Sequence, residues 1–404
     1  MSHSAVYKAL GIDGHEHRSI RLGEGSVVIR LNMNPESLAC PGCGTREIVH
    51  RGTETREFRA PPMAHRCVSV LVDVPRVACA ACGSVRQVPV AFAARGRRCT
   101  RSFVRYVIEM RRVMTVQGLA AHLGVSQWLV RDIEKEYLQR HFARPKLKRV
   151  RRIAIDEISI GGGHKYLTVV LDLVSGAVLF VGEGKGADAL NPFWKRLKAS
   201  RAKIQAVAMD MSAAYMLAVR EHLPHATLVF DHFHVVKLFN DKLSDLRRDL
   251  YREATDQLHK DVLKGTRWLL LKNPDNLDEE RDEPARLKEA LELNASLATA
   301  YYLKEDLRQL WSQGTKRRAA QFLDSWVRRA EASGIRMLQR FARTLTIHRR
   351  GILAWYDVPI STGPLEGTNN KIRTLQRQAY GFRDREYFIL KIYALHTTRY
   401  VLIG

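Results

Sequence analysis

The chain has 404 residues, 46% of them hydrophobic, and carries 66 Lys and Arg against 42 Asp and Glu, a formal charge of +24. That length buries a sizeable core and accommodates two or three domains, which excludes a disordered chain, and no apolar run approaches the roughly 20 residues of a membrane span. Positive charge on this scale calls for a polyanionic partner, nucleic acid before a membrane surface, because the basic residues are spread over the whole chain.

The opening "MSHSAVYKALGIDG" lacks the charged-then-apolar pattern of a secretory signal, so a cytoplasmic setting with reduced thiols is expected, and the six cysteines are not a disulfide framework. Four of them form two knuckles, "CPGCG" (Cys40, Cys43) and "CAACG" (Cys79, Cys82). A Cys-x-x-Cys turn converges two thiolates on one ion, and two such turns supply the tetrahedral sulfur set that zinc favours. The spacer is longer than in common ribbons, but "EFRAPPMAHRCVSVLVDVPRVACAACG" alternates well enough to supply strands between the knuckles. A structural Zn²⁺ on Cys40, Cys43, Cys79 and Cys82 is therefore expected in a β module over residues 1–95, with Cys67, Cys99, His50 and His65 as substitute ligands.

In "LAAHLGVSQWLVRDIE" a helix, a turn at Gly124, a Ser126 cap and a second helix follow one another. This is the layout of a helix-turn-helix, expected over 96–148, whose second helix is shaped to enter a major groove. The basic run "ARPKLKRVRR" reads as a linker that touches phosphate.

From residue 150 the periodicity becomes stranded. "RRIAIDEISI", "KYLTVVLDLVS" and "GAVLFVGEG", separated by "GGGH" and "SG", form an antiparallel meander; "ADALNPFWKRLKAS" and "SAAYMLAVREHLP" are helices around the strands "IQAVAMDM" and "ATLVFDHFH". Two crossovers after a meander predict a mixed sheet in which the fourth strand returns beside the first. Asp156 and Asp210 then sit on neighbouring strands. Two adjacent carboxylates in a dry setting need a cation between them, and hard oxygen ligands suit Mg²⁺ or Mn²⁺. Glu157 points to the opposite face by alternation and is given no ligand role.

A third acid is offered by "STGPLEGTNNKIRTLQRQAYGF", a loop followed by a helix, where Glu366 shares a turn with Asn369, Asn370, Lys371 and Arg373. Spacing alone does not choose Glu366 over Glu386. Residues 240–355 are rich in helix formers at three-and-four spacing and are expected to be an all-helical insertion, with Trp268, Trp311 and Trp326 in its core.

The strings "IAIDEISI", "AVAMDMSAAY", "LVFDHFHVVKLFNDKLSDLRR" and "STGPLEGTNNKIRTLQRQAYGF", in that order behind the two knuckles, resemble the bacterial insertion-sequence transposases of the ISL-three family over nearly the whole chain. The resemblance implies a ribonuclease-H-like catalytic core, first part 149–239 and second part 356–404, with a DDE triad falling on Asp156, Asp210 and Glu366. It also implies an Asp-x-x-His element on Asp231 and His234, which, with Asn369, Asn370, Lys371 and Arg373, stand as groups supporting the acids or touching DNA. The expected fold class is thus multidomain α+β: a zinc-binding β module, a helix-turn-helix, and a mixed α/β core interrupted by a helical insertion. The expected function is Mg²⁺-dependent strand cleavage and strand transfer on double-stranded DNA, at terminal inverted repeats and target, by at least a homodimer at the nucleoid. A non-enzymatic DNA-binding regulator and a structure-specific nuclease without strand transfer are the alternatives.

Overall fold

The computed structural model describes residues 7–8, 10–12, 15–161 and 165–396, so the expected "GGGH" turn lies, apart from Gly161, outside the described residues. The chain divides into two compact units, Met1–Ala143 and Arg144–Gly404. Among the described residues no helix is long and apolar enough to cross a membrane.

The first unit opens with a five-stranded sheet. β1 (His15–Leu22), β2 (Ser26–Met33), β3 (Ile48–Met63) and β4 (Arg66–Cys79) lie in the order β1-β2-β4-β3, and β5 (Val85–Gln87) pairs with β4. β3 and β4 are the expected strands between the knuckles and form an antiparallel hairpin. β1 and β2 were not anticipated. They extend the module, β2 running parallel to β4, and Val68, Val70, Val72 and Val74 of β4 join Ile29, Leu31 and Phe58 in the core, as strand alternation requires.

Three helices follow: α1 (Arg101–Met110), α2 (Val116–Leu123) and α3 (Gln127–Phe142). Gly124 closes α2 at φ +61°, and the Ser126 hydroxyl accepts from the Leu129 N–H to cap α3, as the sequence predicts. Phe103, Val107, Leu119, Leu123, Val130 and Ile133 form the core of the three helices. An ion pair from Arg111 Nε to Glu134 (2.7 Å), both side chains largely buried, ties α1 to α3.

In the second unit β6 (Arg152–Gly161), β7 (Lys165–Asp172) and β8 (Val178–Glu183) form the antiparallel meander. β9 (Ala206–Met209) and β10 (Thr227–Phe230) add to it in parallel, giving the order β10-β9-β6-β7-β8. The fourth strand therefore does lie beside the first. One face of this sheet packs on α4 (Asn191–Ser200), α5 (Ala213–His222) and the start of α6 (His232–Glu253). The other packs on α13 (Gly363–Gln378) and α14 (Arg385–Tyr393), through Leu365, Ile372, Phe388 and Ile392.

Between them lie α7 (Gln257–Gly265), α8 (Arg267–Leu271), α9 (Glu283–Leu293), α10 (Ala295–Arg308), α11 (Lys316–Ala332) and α12 (Arg336–Leu353). The expected start of the insertion at 240 falls inside α6, which carries the chain from sheet to insertion without a break. Trp326 is fully buried, its Nε1–H donating to the Leu303 carbonyl (2.8 Å), and Trp311 is half-buried. Trp268 corrects the expectation: it is 65% exposed, because α8 is a five-residue helix that buries Leu269 and Leu270 and leaves the indole outside.

Gly351 in α12 lets the helix approach the sheet, since a Cβ there would meet the Phe230 ring at 2.3 Å. Gly351→Ala is expected to destabilise the protein by about 1–3 kcal/mol through overpacking and to displace Phe230; an unchanged denaturation midpoint would refute this packing.

Candidate active site

Alternation along β6 assigns its residues to two faces. Ile153 and Ile155 belong to the core under α4 and α5, whereas Ala154 and Ile158 belong to the core under α13, and Asp156 shares their parity. The register pairs Ala154 with Ala208, so Asp156 and Asp210, each two residues further on, come level at the carboxyl end of the parallel pair.

α13 reaches this point on the same face. Leu365 and Ile372 anchor it in the apolar layer, Glu366 lies in its first turn, and Asn369, one turn on, donates from Nδ2 to Asp156 Oδ2 (2.9 Å). Asp156 Oδ1 accepts from the Glu157 backbone N–H (2.8 Å), and Asp210 Oδ1 accepts from the Ser212 N–H (3.0 Å).

Asp231 follows β10, is 1% exposed and accepts from the Thr362 backbone N–H (3.1 Å), tying the entry of α13 to the start of α6. Its Oδ2, His234 Nε2 and Asn369 Oδ1 are buried without a hydrogen-bonding partner.

Charge at this point is only partly offset. Burial pushes the Asp156 carboxyl up, and the Asp210 charge adds to it, against the Glu157 N–H and the cationic influence of His234 and Lys237. Burial also raises Glu366, with Asp231 and Asp156 adding and His234 and Lys237 opposing. Lys237, one turn beyond His234 on α6, thus opposes the rise of two of the acids through its charge. Lys237 closes the "DHFHVVK" string, but a single lysine in a helical pattern carries no signal that separates it from a solvated charge.

Glu157 lies on the other face. Its Oε1 accepts from the Tyr215 hydroxyl (2.6 Å) and from the Gly186 N–H (3.1 Å). Glu386 is exposed on α14, and Asn370, Lys371 and Arg373 are exposed on α13.

In the first unit Cys40, Cys43, Cys79 and Cys82 bring their sulfurs within 4.8 Å of one another, with contacts of 3.6 Å (Cys40 to Cys82) and 3.5 Å (Cys43 to Cys79). Among the described residues no other group of three or more His, Cys, Asp or Glu side chains meets that spacing, the three acids of the second unit included. The backbone N–H groups of Cys43 and Gly42 lower the Cys40 thiol to about 5, which favours the thiolate a metal binds. Cys67, Cys99, His50 and His65 stand outside the cluster.

Three family models match the chain: an ISL3 DDE model described as "Transposase" over residues 153–392, the helix-turn-helix domain of transposase family ISL3 over 87–138, and the zinc-finger of transposase IS204/IS1001/IS1096/IS1165 over 36–82. The chain is 35% identical over 375 residues to the transposase for insertion sequence element IS1001 of Bordetella parapertussis, covering 91% of this chain and 90% of that one. It is 30% identical over 428 residues to the transposase for insertion sequence element IS1557 of Mycobacterium tuberculosis, covering 95% and 92%. Among solved structures the Drosophila P element transposase strand transfer complex is similar at 11% identity and a TM-score of 0.38, over 73% of this chain and 91% of that one, a likeness too slight to build on.

Because the folded protein holds the Asp156 carboxyl above its ordinary range, the penalty of its charge is absent below the unfolded carboxylate pKa and complete once the pH passes the folded value. In chelating buffer Asp156→Asn, with the Asn369 amide turning to accept, should therefore raise the thermal midpoint at about pH 8, the gain shrinking towards about pH 4. A midpoint at or below that of the parent at the higher pH would contradict this.

Proposed function

The chain belongs to the ISL3 family of insertion-sequence transposases, with its zinc-finger, helix-turn-helix and DDE domains, and from that premise we propose that it binds the terminal inverted repeats of its element and cleaves and joins DNA strands at Asp156, Asp210 and Glu366. The observation that carries this reading is that Asp156 and Asp210 come level at the carboxyl ends of β6 and β9, on the face where α13 presents Glu366 and bonds Asp156 through Asn369.

The donor set fits hard divalent ions. The three acids offer only oxygen, and Asp231 Oδ2 and Asn369 Oδ1 are further oxygens left without partners beside them. Mg²⁺ or Mn²⁺ bound there supplies Lewis-acid stabilisation of the attacking and leaving oxygens of a phosphoryl transfer. The protein's own groups do the positioning. Asn369 orients Asp156, the bond from Thr362 to Asp231 fixes the start of α13 and so places Glu366, and Lys237 sets positive charge against the acids, suited to a DNA phosphate.

The reaction proposed is hydrolysis that frees a 3′-hydroxyl at each end of the element, then attack of that hydroxyl on target DNA. No covalent enzyme intermediate is needed. The four cysteines hold a structural Zn²⁺ that closes the β3–β4 hairpin, and α3 enters the major groove of the repeat. Joining two ends calls for at least two copies on DNA, working in the cytoplasm at the nucleoid.

Purified protein and a duplex ending in the element's inverted repeat should give a Mg²⁺-dependent nick at the repeat boundary and, with a target plasmid, joined products. Asp210→Asn should bind the end as before but cut on the order of a thousandfold more slowly, the effect of losing several kcal/mol of charge stabilisation. Undiminished cutting by that variant would sink the triad, and nicks without joined products would favour the nuclease reading. The protein should also carry one zinc per chain, with Cys43→Ser losing both the metal and end binding; full binding by zinc-free protein would remove the structural role.

A further inference from the structure

We propose that the exposed face of α13 is a track for the DNA strand leaving the reacting phosphate, with Arg373 and Arg377 gripping its backbone and Tyr380 stacking on one of its bases. The proposal rests on the transposase reading and adds where the flanking DNA lies.

At 100° per residue, Glu366, Asn370, Arg373 and Arg377 fall in one stripe about 60° wide. The bond from Arg373 Nη1 to Asn370 Oδ1 (3.0 Å) is the side-chain contact that such a stripe makes. Leu365, Thr368 and Ile372, on the opposite side, are buried. The helix is pinned to β6 at two points, by Asn369 on Asp156 and by Gln376 Nε2 on the Ile160 carbonyl (2.5 Å), so the stripe is held in place relative to the acids. Neither Arg373 nor Arg377 meets an acid among the described residues. Two guanidinium groups without an acid partner, on a stripe that begins beside a phosphoryl-transfer site, are complementary to a chain of phosphates. From Glu366 to Arg377 the helix rises about 16 Å, the length of about five base steps of a duplex.

Tyr380 ends the row. Its φ is +50°, and the Gly381 N–H returns to the Gln376 carbonyl (2.9 Å), so Tyr380 stands in the left-handed residue that closes the helix, a position glycine fills by default. Its ring is wholly exposed. The tyrosine strains the backbone and recovers nothing by burial, while offering the aromatic face on which a nucleobase stacks.

The test uses the full-length protein and end duplexes carrying 2-aminopurine at successive positions beside the cleavage boundary. The parent should quench the probe at a position within about five nucleotides of the boundary. Tyr380→Gly should abolish that quenching with an unchanged or raised thermal midpoint, and Arg373→Gln with Arg377→Gln should lower the slope of log affinity against log salt by about 2. Quenching and slope that persist in variants with the parent's thermal midpoint would overturn the track while leaving the transposase reading intact. A lowered midpoint in Tyr380→Gly would assign the ring to the fold instead. Failure of the parent itself to cut the end with Mg²⁺ would bring down the transposase reading first, and the track with it.

Discussion

One hydrogen bond, from the Asn369 amide to the Asp156 carboxylate across 213 residues of chain, sets the third acid against the first two. A bond to a charged group contributes about 1.5–3 kcal/mol, too little to hold a helix by itself. It works because Leu365 and Ile372 bury α13 against the sheet on either side of it, each contributing on the order of 1.5–3 kcal/mol. The second tie, from the Thr362 N–H to Asp231, crosses 131 residues and fixes where the helix begins. Sheet parity, apolar packing and two polar ties together place Glu366, and none of them is local.

The two candidate metal regions differ in geometry and in charge. In the first unit the sulfurs sit 3.5–3.6 Å apart in pairs, and backbone N–H groups already favour a thiolate at Cys40. In the second unit burial raises Asp156 and Glu366, the acids stop short of that convergence, and the Lys237 ammonium opposes the rise of both. Like charges kept apart on rigid strands and a pinned helix suit a site that must accommodate phosphate as well as cations.

Much of this was legible before the structure. The change from helical to alternating periodicity at 150 located the meander, and the crossover rule put β9 beside β6 and so Asp210 beside Asp156. Gly124 and Ser126 marked the two helices and their turn by backbone chemistry, and the zinc knuckles and basic charge beside them made the pair read as a helix-turn-helix. Other features were not legible. β1 is polar and half-exposed, so no apolar alternation announces it. Trp268 sits among helix formers, but α8 is too short to turn its ring inward. Nothing within either helix separates Glu366 from Glu386, because the distinction lies in which helix packs over Asp156; the family resemblance named Glu366, and it is the helix carrying Glu366 whose Asn369 bonds Asp156.

The central claim, that β6, β9 and α13 contribute to a single divalent-metal site, is tested most directly by replacing Mg²⁺ with Fe²⁺ and mapping the backbone cuts that ascorbate and peroxide produce. The account predicts cuts clustered near Asp156, Asp210 and Glu366 together, each suppressed by excess Mg²⁺. Cuts confined to one of these segments, or clustered elsewhere in the second unit, would contradict it.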